Sequence, residues 1–311
     1  MLELWQLVVL VAIYGVGDAL FLPSATAIVP SLVPPDELVQ ANALEHLARP
    51  FAMRFAGPAL GGVIVAVGGA GLGFAFDAAT FLVSATCLTA MRPLPATATA
   101  AAERSFRAAT REVREGFAYV RSQPWLWATL GAAGLALLAF VGPLEVLVPY
   151  MIKEELGLGA GTFGAVLAAG GIAQIAVALT ISQRGLPRRQ ITVMYVCWTL
   201  ATAVIAGYAV ATQRWQLMAI AAVGGGLQGA GSIVWGTLMQ TRVPPRLLGR
   251  VASVDWMVST ALIPLSFALV GPLAAAFGAE AVLLAAGFCG ALVTFAFLFV
   301  PGVRDPERVP A

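Results

Sequence analysis

The sequence predicts an all-α polytopic membrane protein, and three observations lead there. Hydrophobic residues make up 59% of the 311-residue chain, charged residues only 11%, and the mean hydropathy is +0.87. A soluble domain of this size carries roughly a quarter charged residues. Apolar stretches long enough to cross a hydrocarbon core of ~30 Å, about 20 residues each as helix, recur nine times. They are rich in Ala, Leu and Val and lack period-two alternation. They therefore read as helices that satisfy their own backbone hydrogen bonds, and not as strands of a barrel.

In chain order the expected spans are 5–30, 44–68, 71–91, 125–150, 161–183, 191–212, 215–240, 251–276 and 279–300. The charges between them orient the set. Arg92, Arg104, Arg107, Arg111, Arg114 and Arg121 follow the third span. Arg184, Arg188 and Arg189 follow the fifth, Arg242, Arg246 and Arg250 the seventh, and Arg304 and Arg308 the last. The loops of the opposite side hold only Lys153 and Arg214. By the positive-inside rule the arginine-rich side and the C-terminus are cytoplasmic. Met1-Leu-Glu-Leu-Trp5 lacks the basic start of a signal peptide, so the first apolar stretch is expected to be a membrane helix.

An internal repeat organises the chain. Val33, Pro34, Pro35 and Leu38 recur at Val243, Pro244, Pro245 and Leu248, an offset of 210 residues, and the Gly-Pro pairs Gly57-Pro58 and Gly271-Pro272 follow at an offset of 214. A parallel repeat of this length in a membrane chain marks two related halves. By the same offset, the partner of the span starting near Trp125 lies about 85 residues ahead of Met1, so the chain reads as lacking three helices of its first half. The expected organisation is a partial N-terminal bundle of three helices over 1–91, a cytoplasmic linker with an amphipathic helix over 92–124, a six-helix bundle over 125–303 and a cytoplasmic tail over 304–311. In the linker, Phe106, Thr110, Val113, Phe117 and Val120 fall three or four apart among Arg and Glu, the pattern of a helix on the membrane surface or against the bundle.

Charges inside spans cost about 2.5–3.5 kcal/mol each at mid-membrane and so face a bundle interior or water. Asp18, Arg54, Asp77, Glu145 and Asp255 are such groups, candidates for proton relay or ion pairing. Asp18 and Arg54, on neighbouring spans, are the expected pair, because an unpartnered buried charge is costly. Glu45, His46 and Arg49 stand near the end of the second span and read as interfacial. Gly57, Pro58, Gly61 and Gly62 form a small-residue segment that allows close helix approach and weakens one backbone hydrogen bond. The glycines of Gly224–Gly231 lie within an apolar span with no Gly-Lys-Ser/Thr after them, so they serve packing and not phosphate binding. Cys87, Cys197 and Cys289 are far apart and apolar in setting. With one His and no metal-ligand spacing, neither a metal, a cofactor nor an enzyme centre is expected. Nothing points to nucleic acid, and the sequence leaves the oligomeric state open, a monomer being one option.

Several segments together resemble the major facilitator superfamily, in its drug and siderophore exporter branch of macrolide-efflux and enterobactin-exporter-like proteins. Gly17-Asp-Ala-Leu-Phe-Leu-Pro-Ser-Ala-Thr-Ala27 resembles the branch's fourth helix, and Leu32-Val-Pro-Pro-Asp-Glu-Leu-Val-Gln-Ala-Asn-Ala43 the loop after it. Arg54-Phe-Ala-Gly-Pro-Ala-Leu-Gly-Gly62 is similar to the fifth helix, with the Gly-Pro-x-x-Gly-Gly core of the antiporter motif. Phe76-Asp-Ala-Ala-Thr-Phe81 resembles the sixth helix, and Val243-Pro-Pro-Arg-Leu-Leu-Gly-Arg-Val251 the loop between the tenth and eleventh. The resemblance implies a facilitator fold of which spans four to twelve are present. It implies proton-coupled efflux of a small amphipathic molecule, drug or siderophore, by alternating access in the inner (plasma) membrane. The bilayer, a small-molecule substrate and protons are then the partners. Gln174 and Gln228 join Asp18, Arg54, Asp77 and Asp255 as inward-facing polar groups. The alternative is a non-transporting fragment or membrane scaffold of the same type.

Overall fold

A computed structural model describes residues 4–91 and 106–308; within these, side chains at a few positions, including Arg54, Pro58 and 106–110, lie outside the description. Its elements are helical: α1 (Leu4–Ile28), α2 (Leu38–Phe51), α3 (Gly57–Ala90), α4 (Phe106–Ser122), α5 (Pro124–Gly142), the single turn α6 (Val148–Tyr150), α7 (Ala160–Arg184), α8 (Gln190–Ala203), α9 (Arg214–Arg242), α10 (Pro245–Ala261), α11 (Ile263–Phe277) and α12 (Ala279–Phe297). Eight helical runs among the described residues are long and apolar enough to cross a membrane. The segment 44–68, the second expected span and the one of the nine outside those eight, is also helical, running through α2, a π turn at Ala52–Ala56 and the start of α3. The expected boundary between it and the span 71–91 falls on Gly69, whose φ of 72° breaks α3 into two rods. That left-handed geometry suits glycine because it has no Cβ.

The repeated Val-Pro-Pro corners have one geometry. Pro34 and Pro244 are extended, with ψ of 154° and 135°, and Pro35 and Pro245 open the helical turn that follows. Proline is suited to that first position: its φ is already helical and its missing N–H would have had no partner there. Prolines further along reshape the rods. The carbonyl four residues before Pro149 belongs to Glu145, inside a π turn at Pro143–Leu147. A proline ring clashes with that carbonyl in an α-helix, and a widened turn moves it away. A similar π turn, Ala52–Ala56, precedes Gly57-Pro58.

The best-buried core lies among the C-terminal helices. Leu126, Ile191, Tyr195, Leu238 and Val251 join α5, α8, α9 and α10 toward one end. Leu147, Ile152, Leu217 and Leu283 fill the other. The hydroxyls of Thr129 and Tyr195 meet at 3.0 Å inside this core. In lipid, apolar side chains gain little by leaving their surroundings, so close backbone approach and hydrogen bonds hold helices together. The most extensive helix pair, α7 with α9, shows how. A methyl added at Gly225 would fall on the Gly170 backbone, and one at Gly229 on Gln174. Gly225→Val is therefore expected to force α7 and α9 apart, at about 1–3 kcal/mol. A lowered thermal unfolding midpoint of the detergent-solubilised protein checks this; an unchanged midpoint would mean the pair has slack.

The N-terminal helices lean on this core. α1 packs on α10, and α2 packs on α7 and α9. The stretch Val67–Ala90 buries none of its most apolar window. The linker helix α4 docks on α10. There Arg250 reaches Glu112 at 3.4 Å and forms a second, shorter pair with Glu115. Gly116 is set so close that a methyl would lie 3.1 Å from the Arg250 carbonyl. Both glutamates are about half exposed, so the ion pairs add little and the packing of Gly116 and buried Val120 does more. Val113 and Phe117, from the expected apolar stripe, stay exposed because α4 meets the bundle along its Gly116–Val120 edge; Phe106 and Thr110 lie outside the described side chains.

Candidate functional site

A cavity of about 370 Å³ lies where α2 faces α5, α8, α9 and α10. Its two walls differ. From the N-terminal helices come Thr26, Asn42, Glu45, His46 and Arg49, all polar. The last four are spaced i, i+3, i+4 and i+7, which lines them along one face of α2. The opposite wall is largely apolar and aromatic, with Leu130, Phe140, Trp198, Trp235 and Trp256 among its members. Asp255 and Gln228 stand in that wall. A second cavity of about 300 Å³ adjoins it, sharing Leu137, Phe140, Thr202 and Gln228.

Asp255 is half-buried on α10. Trp235 Nε1 donates to its Oδ2 at 3.2 Å, and the Ser259 hydroxyl donates to Oδ1 at 3.4 Å. Trp235 is held in turn by ring contacts with Trp125 and Trp198, at centroid distances of 5.9 and 6.3 Å. Asp255 makes no ion pair among the described residues. Across the cavity Arg49 faces Glu45 at 4.0 Å, and His46 Nδ1 lies 3.4 Å from Gln174 Nε2.

Below this the α2 and α9 helices are tied by a buried amide. Asn42 Nδ2 donates to Gln240 Oε1 at 2.7 Å, to Thr237 Oγ1 at 3.2 Å and to the Leu38 carbonyl at 2.8 Å. A methyl at Gly236 would sit 3.0 Å from Asn42 Oδ1, so the absence of a side chain there lets the amide seat. Ala27 and Gly249 approach nearby, a methyl at Gly249 lying 3.6 Å from the Ala27 side chain. The tie lies toward the end that carries Arg242, Arg246 and Arg250.

The sequence-selected residues are distributed unevenly about this site. Asp255 and Gln228 line the first cavity, Gln228 and Glu145 the second. Gln174 reaches it through His46. Asp18 is half-buried on α1 and Asp77 exposed on α3, and neither lines either of these two cavities. The Arg54 side chain lies outside the described residues, and with it the Asp18–Arg54 pair. Among the described residues, a methyl at Gly57 would meet the Ala52 carbonyl of the preceding turn and one at Gly61 would meet open space; Pro58 and Gly62 fall outside the described side chains. Glu45, His46 and Arg49, read from sequence as interfacial, also line the cavity, with Glu45 and Arg49 about half exposed. The signal that finds them is their shared helix face with Asn42. No group of His, Cys, Asp or Glu fit to hold a metal occurs among the described residues.

Residues 2–265 match the family profile of the Major Facilitator Superfamily. The chain belongs to that superfamily. It is also similar to y4rN, an uncharacterized MFS-type transporter of Sinorhizobium fredii, at 27% identity over 308 residues, covering 97% of this chain and 72% of that protein. This facilitator is thus a multi-pass membrane protein of a transporter family, and its apolar outer surface is the surface that faces lipid.

Proposed function

We propose that this facilitator is a proton-coupled exporter of a small amphipathic molecule, working by alternating access in the inner membrane with its C-terminus in the cytoplasm. The observation that supports it most is Asp255: a carboxylate with no cationic partner among the described residues, in the wall of a cavity between the N- and C-terminal helices. A carboxylate at membrane depth is costly and usually belongs to a substrate or proton pathway. The polar α2 wall against the aromatic wall suits an amphipathic ligand, and a volume of about 370 Å³ is of the size that holds one. Asp255 is the residue we assign to proton exchange, with Gln228 and the α2 face as ligand contacts. Glu145, at the second cavity, is a further relay candidate, and Asp18, Arg54 and Asp77 are secondary ones.

One observation favours the rival reading of a non-transporting scaffold: the apolar window of Val67–Ala90 is unburied, as a helix awaiting another partner would be. Proteoliposomes holding the pure protein and a fluorescent amphipathic dye separate the two. Dye efflux that accelerates when an inward proton gradient is imposed supports the exporter; a rate equal to protein-free liposomes under the same gradient sinks it.

A further inference from the structure

We infer that the ligand of the first cavity is an organic monocation with a flat apolar body, and not an anion such as a catecholate or carboxylate chelator. This rests on the cavity being the transport site proposed above and narrows what passes through it. Among the described residues, three charged side chains line the cavity: Glu45, Arg49 and Asp255. Glu45 and Arg49 face each other one helical turn apart on α2, at 4.0 Å, and offset one another. His46 is shared with Gln174. That leaves one uncompensated negative charge, and it sits on Asp255 in the wall opposite. The two groups that hold Asp255, Trp235 and Ser259, are neutral donors at 3.2 and 3.4 Å. They orient the carboxylate without cancelling its charge.

The surroundings select the same ligand. Trp198, Trp235 and Trp256 line the cavity together with Asp255. Indole faces attract cations through their quadrupole and give flat apolar bodies a large contact area. An anion would meet the Asp255 carboxylate, and the cation that lines the cavity among the described residues, Arg49, already has Glu45 beside it at 4.0 Å. Complementarity of charge, and repulsion of the wrong sign, set specificity here more than contact area does.

Two probes of the same size and opposite charge test this. Tetraphenylphosphonium and tetraphenylborate are titrated into the purified full chain by equilibrium dialysis, with protein-free micelles subtracted. Saturable binding of the phosphonium, weakened at least tenfold in Asp255→Asn and kept in Asp255→Glu, is the expected result. Tetraphenylborate is expected neither to bind saturably nor to displace the phosphonium. Saturable binding of the borate, or phosphonium affinity unchanged in a folded Asp255→Asn, overturns the inference. The comparison of the two probes on the unmodified protein decides the matter even where a variant does not fold. Failure here and failure of the exporter reading remain distinct. Phosphonium binding without gradient-driven efflux sinks only transport; gradient-driven efflux with borate binding sinks only the cation class.

Discussion

Asp255→Asn is expected to fold, to keep its melting temperature or raise it, and to lose gradient-driven efflux by at least about tenfold, equivalent to about 1.4 kcal/mol of the driving interaction. The substitution conserves shape. An Asn side chain still offers an oxygen to Trp235 Nε1, which donates to the native carboxylate at 3.2 Å. What it removes is the charge and the proton site. A charge at membrane depth costs about 2.5–3.5 kcal/mol, so removing it leaves the fold no worse. A structural carboxylate would behave in the opposite way, losing stability when neutralised. Thermal unfolding and proteoliposome efflux on one preparation separate the cases: full efflux in a stable Asp255→Asn protein would end the role proposed for this residue.

Asn42→Ala is expected to loosen the arginine-rich end. The amide of Asn42 donates to Gln240 at 2.7 Å, and all three residues of the tie, Asn42, Thr237 and Gln240, are buried at 5–7% exposure. Truncation strands the Gln240 Oε1 away from water, at about 1–3 kcal/mol, while the Thr237 hydroxyl keeps its bond to the Ile233 carbonyl. Because the tie joins an N-terminal helix to a C-terminal one, that loss falls on one arrangement of the halves. A shift of about 2 kcal/mol changes a two-state balance by about 30-fold. The measurement is the rate at which a membrane-impermeant maleimide, added on the arginine-rich side, labels a cysteine placed at Ser232 in the cavity wall. Cys87, Cys197 and Cys289 are first replaced. Labelling up to about 30-fold faster in Asn42→Ala and in Gln240→Ala is expected for a shift of this size. Equal rates would mean that the amide braces a rigid contact and gates nothing.

What the sequence makes legible depends on the range of the interaction. The spans, the break between 68 and 71 at Gly69 and the proline corners are local events, written in neighbouring residues. Asp255 was legible as well, because a carboxylate in an apolar run has few places to go. Position along a helix, however, does not give the direction a residue faces. Glu45, His46 and Arg49 sit near a helix end and read as interfacial; that they also share a cavity wall comes from the packing of α2 on α7 and α9. The Asn42–Gln240 bond joins residues 198 positions apart, and no local pattern foretells it. Gly61 shows the reverse: a small-residue motif promised a close contact, and the described neighbours leave space.

The two proline corners also act before any of this packing exists. Pro34-Pro35 and Pro244-Pro245 hold φ near its helical value even in the nascent chain, which narrows the unfolded ensemble at two points 210 residues apart. Each corner sits where one apolar rod ends and the next begins. Before the helices pack, then, each corner already favours an extended residue followed by the first turn of the next helix. Replacing a corner with flexible residues would be felt first as misinsertion, in the yield and sidedness of newly made chains, and only afterwards in the stability of those that fold.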